Sequence, residues 1–158
     1  MTLNALLLLS SAQLPHPVEE IAWHADFCAR TGRPSAVATT RLLTGLTLGR
    51  SVVAFYGDTK LGNHLLGYGA FAGYERAGTP RGDRLLGEVP LYAGGHRPAG
   101  VKGVVMLDAV QAARRGAEIE VLGGTVRATG LPLTRAHLPV GPARILVYFT
   151  REERQMAR

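Results

Sequence analysis

The chain has 158 residues, 46% hydrophobic and 19% charged, with 18 Lys and Arg against 12 Asp and Glu for a net charge of +6. That length suits one domain able to bury a core without a metal or disulfide, and the apolar content excludes wholesale disorder. The longest apolar run, Ala5–Leu9, is far short of the ~20 residues a membrane-spanning helix needs, while the basic excess favours a phosphate-bearing partner.

Leu3–Ser10 is a continuous apolar run and reads as a strand buried on both faces. Asn4–Ala12 superficially resembles a leader segment but lacks the basic n-region a secretory signal needs. Pro17 suits the first position of a helix, Glu19 and Glu20 complement its dipole, and Val18, Ile21, Ala25 and Cys28 form an apolar stripe. Gly32 can stop this helix, which the spacing predicts over Val18–Arg30. Ala36–Leu46 fits helix or strand. Ser51–Tyr56 is apolar and β-branched, a strand; residues 57–63 read as a loop; His64–Tyr74 reads as a second strand, antiparallel to the first.

The glycine and proline density of Ala77–Asp83 predicts a mobile loop, followed by a strand over Leu85–Tyr92 and another loop over Ala93–Gly100. Val101–Leu107 reads as a strand. Asp108 then fits an N-cap, with Gln111 as capping-box partner, Arg114 and Arg115 in the last turn and Gly116 as terminator, predicting a helix. Glu118–Leu122 and Thr125–Thr129 flank Gly123-Gly124 as a two-residue hairpin would. Leu131–Pro142 is a proline-punctuated link and Ala143–Phe149 a final strand. No linker or repeat divides the chain, so residues 1–150 read as one domain and 151–158 as a charged tail.

About seven strands and two or three helices result, with most links too short for a crossover helix. The expected fold class is therefore α+β and strand-dominated, a mixed or antiparallel curved sheet or barrel with flanking helices.

Candidate chemistry is sparse. Gly67, Gly69 and Gly73 superficially match a dinucleotide fingerprint, but they alternate with aromatic and small residues and fit close packing in a curved strand. His24 and Cys28 share a helix face at i, i+4, yet two ligands do not make a metal site. Cys28, the only cysteine, permits no intrachain disulfide and sits on the apolar stripe. Trp23 and Phe27 also lie at i, i+4, with packing as the first reading and base stacking as the second. No G-x-S-x-G, H-E-x-x-H or P-loop occurs. These features predict no metal, no cofactor, no membrane partner and a cytoplasmic location. Sixteen of the eighteen basic residues are Arg, Lys60 and Lys102 being the exceptions; Arg grips phosphate as a planar fork and stacks on flat rings. A GC-rich genome also accounts for that ratio, though not for the excess of base over acid.

Leu42-Leu43-Thr44-Gly45-Leu46-Thr47-Leu48-Gly49-Arg50 followed by Ser51–Tyr56, a polar loop, and Leu65-Leu66-Gly67-Tyr68-Gly69-Ala70-Phe71 resembles the central hairpin of PUA-like domains, in particular the EVE and ASCH branches. The Trp-Gly-Val-Arg-Asn element of the EVE branch is absent, as are the Gly-Lys and Glu-x-Arg elements of the ASCH branch. The resemblance implies a PUA-like pseudo-barrel with a cleft beside the hairpin and two or three flanking helices. It also implies a nucleic-acid-binding module that reads a modified base or an RNA element. Arg33, Arg41 and Arg50 would then contact phosphate, and Tyr56 and Tyr68 would stack on bases, with RNA or DNA as partner. The alternatives are a small enzyme on the same scaffold, acting on a nucleoside-like or amide substrate, and a protein-interaction subunit. The lack of an acid–base constellation in the sequence leans away from an enzyme.

Overall fold

The structure is a computed structural model and describes residues 2–10, 17–40, 42–59, 62–90, 100–138 and 143–149. Seven strands form one mixed sheet: β1 (Thr2–Ser10), β2 (Ser35–Thr39), β3 (Val52–Thr59), β4 (Gly62–Arg76), β5 (Gly103–Ala112), β6 (Thr125–Val126) and β7 (Ala143–Phe149). Their spatial order is β2-β5-β4-β3-β1-β7-β6. Only β1 and β3 run parallel; the other neighbours are antiparallel. The strand-rich α+β class is as expected. The barrel is not closed, because β2 and β6 stand at opposite ends of the sheet.

Two helices cover it: α1 (Pro17–Thr31) and α2 (Pro80–Gly87). Strand alternation sends Val37, Val53, Phe55, Val105 and Leu107 to the face on which α1 buries Ile21 and Cys28. Their neighbours Ala36, Ala38 and Val104 meet Leu86 of α2 and Val89 just beyond it on the opposite face. Farther along that face, Leu6, Val52, Ala54, Tyr56, Leu65 and Tyr68 pack under Ile119, Leu122, Val126 and Leu133. The chain between residues 117 and 138 thus covers the part of the sheet that α2 does not.

Several expectations hold. Gly32, at φ 66°, ends α1 by donating its N–H to the Cys28 carbonyl at 2.9 Å, a left-handed stop. The β3–β4 hairpin is antiparallel, from Val52↔Ala70 out to Thr59↔Gly62, so it is tighter than the expected loop over 57–63. Gly67 serves close packing: a Cβ there would lie 2.5 Å from Ile21 Cγ2 and 2.7 Å from the Gln111 carbonyl oxygen.

Three expectations are corrected. Leu85–Tyr92 does not begin as a strand, since Leu85 and Leu86 belong to α2. Thr79 caps that helix, its Oγ1 accepting from Gly82 N at 3.1 Å, and Pro80 opens it. The same Thr-Pro-x-Gly composition that suggests a loop is a helix start when a cap and an apolar pair follow. Asp108–Arg115 is not a helix either: β5 runs through Asp108 to Ala112, paired with β4 from Gly67 to Ala70. Asp108 Oδ1 accepts only its neighbour's N–H, from Ala109 at 3.0 Å, and Ala109 takes φ 49° where the ladder shifts register. Lastly, Glu118–Leu122 and Thr125–Thr129 do not pair. Ile119–Leu122 is a 3-10 turn, Gly123 and Gly124 at φ 67° and 106° redirect the chain, and Thr125–Val126 pairs with Tyr148 and Val147 of β7. Ile119 and Leu122 are fully buried, so their apolar spacing plugs the core instead of building a strand. The expected loop over 93–99 and the tail over 151–158 lie outside the described residues.

Candidate functional site

The open end of the sheet positions a chemically varied cavity. β2 is its edge strand, with α1 on one face and α2 on the other. Between them lies a cavity of about 280 Å³. Trp23 and Phe27 of α1, Arg33 of the α1–β2 connector, Ser35 at the start of β2, and Arg81 and Glu88 at the α2 side line it. Trp23 and Phe27 sit one helical turn apart, which stacks their rings at 5.4 Å with planes 19° apart. Both are half-buried, so the aromatic pair packs and faces the cavity at once.

Arg33 is exposed in the α1–β2 connector, its backbone N–H held by Thr31 Oγ1 at 3.1 Å. Arg81 is also exposed, and its Nε lies 3.2 Å from Glu75 Oε1. A surface pair of this kind contributes little stability. Two guanidinium groups and two stacked rings therefore share one concave surface.

A buried polar network meets the same cavity from inside. His24 is 1% exposed, and its Nδ1 lies 2.5 Å from Ser35 Oγ. Its Nε2 lies 3.5 Å from Glu20 Oε1, one helical turn back. Trp23 stands edge-on to the His24 ring at 5.2 Å. Ser35 belongs both to this network and to the cavity wall.

The residues expected from sequence separate. Arg33 lines the cavity. Arg50 is exposed in the turn before β3, its N–H donated to the Thr47 carbonyl, and is not among the cavity residues. Arg41 lies outside the described residues. Tyr56 and Tyr68 are 2% and 5% exposed within the apolar core, so packing already occupies the ring faces assigned to stacking. Sequence reasoning missed Ser35, Glu20 and Arg81. Glu20 and His24 carried an i, i+4 signal; nothing local linked Ser35 to His24 eleven residues earlier, or Arg81 to the same surface.

Among the described residues, no three His, Cys, Asp or Glu side chains gather as a metal site, and no helix is long and apolar enough to cross a membrane. A second groove of about 460 Å³ runs along Val126, Arg127, Ala128, Ile145 and Leu146, and is mainly apolar. Compared with known families, curated proteins and solved structures, the chain matches none of them.

Proposed function

We propose that this is a nucleic-acid-binding module that seats a base of a single RNA or DNA strand in the cavity beside β2. The observation that carries the reading is the stacked Trp23–Phe27 pair sharing one cavity with Arg33 and Arg81. Single-strand binding combines an aromatic platform with cations that track the backbone, and arginine's fork suits phosphate better than an ammonium does. The cavity volume lies at the small end of ligand sites and suits one flat ring. The net charge of +6 supports long-range attraction of a polyanion. The likeness of Leu42–Phe71 to PUA-like domains supports the same partner class, with Trp23 taking the stacking role first given to Tyr56 and Tyr68. The sole cysteine, Cys28, is buried and forms no disulfide within the chain, in keeping with a cytoplasmic setting.

Fluorescence anisotropy with labelled single-stranded oligonucleotides tests the reading. Affinity falls linearly on a log–log salt plot, with a slope of about −0.7 per phosphate contact. Arg33→Ala and Arg81→Ala each shallow that slope by close to one contact and weaken all sequences alike. Trp23→Ala costs about 1–3 kcal/mol per stacked base and leaves the slope unchanged. No binding at ~50 mM salt to RNA or DNA, with or without modified bases, contradicts it.

A further inference from the structure

Base binding leaves the polar network under the cavity without a task. Glu20, His24 and Ser35 are 3%, 1% and 1% exposed, an unusual concentration of ionisable and hydroxyl groups in an interior. Their order is also specific. Ser35 Oγ stands 2.5 Å from His24 Nδ1, and His24 Nε2 faces Glu20 Oε1 at 3.5 Å. With the ring proton on Nε2, directed at the carboxylate, Nδ1 presents its lone pair to the serine hydroxyl. A hydroxyl within hydrogen-bond reach of a base, itself oriented by a third group, is the arrangement that activates a nucleophile. A long base–acid contact is ordinary before substrate binds. Ser35 is the one of the three that also belongs to the cavity wall, though only 1% of the residue is exposed.

We propose that the protein hydrolyses small carboxylic esters that carry a planar ring, with Ser35 as nucleophile, His24 as general base and Glu20 as the carboxylate that positions His24. Ser35 Oγ attacks the acyl carbon while its proton passes to His24 Nδ1. The tetrahedral oxyanion collapses, the acyl–oxygen bond of the ester breaks, and the leaving alkoxide takes the proton from His24. Water, giving a proton to His24, then attacks the acyl-serine, releasing the carboxylic acid and restoring the Ser35 hydroxyl. No oxidant or metal enters the balance. Trp23 and Phe27 seat the ring, the cavity of about 280 Å³ limits the ester's size, and Arg33 and Arg81 are the nearby cations for the developing negative charge. The proposal uses the same cavity as base binding but does not depend on nucleic acid being the partner.

The test uses the full chain with diisopropyl fluorophosphate, followed by intact-mass measurement and peptide mapping, and with 4-nitrophenyl acetate as the ester. The expected result is one phosphoryl adduct per chain, on Ser35, and nitrophenolate release above the buffer rate. Ser35→Ala abolishes both, and His24→Asn lowers release by about 10²-fold or more. A cooperative thermal melt shows that Ser35→Ala is folded, and labelling and ester turnover, which need no oligonucleotide, separate this proposal from the binding reading. Because labelling is read first on the unaltered protein, a variant that fails to fold leaves the result standing. No adduct on Ser35 at millimolar reagent, an adduct without ester turnover, or turnover that survives Ser35→Ala overturns the proposal.

Discussion

His64 is 8% exposed, and neither of its ring nitrogens meets a hydrogen-bond partner among the described residues. An unsatisfied buried polar group costs about 1–3 kcal/mol, so His64→Leu is expected to leave stability unchanged or raise the melting temperature. A drop of several degrees in a thermal melt shows instead that the imidazole has a partner. His24 predicts the opposite. Ser35→Ala removes the hydroxyl 2.5 Å from Nδ1 and costs about 1–3 kcal/mol in chemical denaturation; no change shows that the network does not hold α1 to β2. Gly67→Ala drives a Cβ toward Ile21 and the Gln111 carbonyl, and overpacking of this kind costs about 1–3 kcal/mol. At this scale the sequence was legible where chemistry is local. The glycine alternation of β4 showed close packing, and Cys28 on its stripe showed burial. Tyr56 and Tyr68 were not legible, because an aromatic on a strand looks the same whether its face meets solvent or core.

Among the elements, β5 shows where local signals lose. Asp108, Gln111, Arg114 and Gly116 supply a complete set of helix end signals, yet β4 pairs with Asp108–Ala112, continuing the strand that β2 and β4 flank over Gly103–Leu107. Sheet ladders outweigh a cap worth about 1 kcal/mol. Asp108→Ala should therefore shift stability by no more than about 0.5 kcal/mol, the ordinary range for an exposed position; a helix N-cap there would cost about twice that or more. Ala109→Gly should stabilise by roughly 0.5–1 kcal/mol, since φ 49° strains a residue with a Cβ and the gain is partly offset in the unfolded chain. Thr79→Ala, by contrast, removes the cap of α2 and should cost about 0.5–2 kcal/mol by the same melts. β1, α1, the β3–β4 hairpin and β7 were legible because period and punctuation agree in each. α2 was not, because eight residues give too little period to outweigh the glycines and prolines around them.

For the molecule as a whole, the open end of the sheet matters most. A closed barrel would place the site beside the hairpin; the observed order puts β2 at an edge, with helices on both faces, and the cavity forms there. That arrangement joins residues 23, 33 and 81, which no spacing rule connects. Class and basic charge were readable from composition and pattern; the long-range pairing that builds the site was not. The central claim is that the cavity beside β2 receives a nucleic-acid base against Trp23. Trp23 is the only tryptophan in the chain, so tryptophan emission, excited selectively over the tyrosines, reports on that cavity. Titration with single-stranded RNA and DNA at about 50 mM salt is the direct measurement. A saturable change in tryptophan emission, matching the anisotropy isotherm and weakening with salt, is the predicted result. Binding that leaves Trp23 emission unchanged contradicts the claim, because the strand would then lie elsewhere on the basic surface.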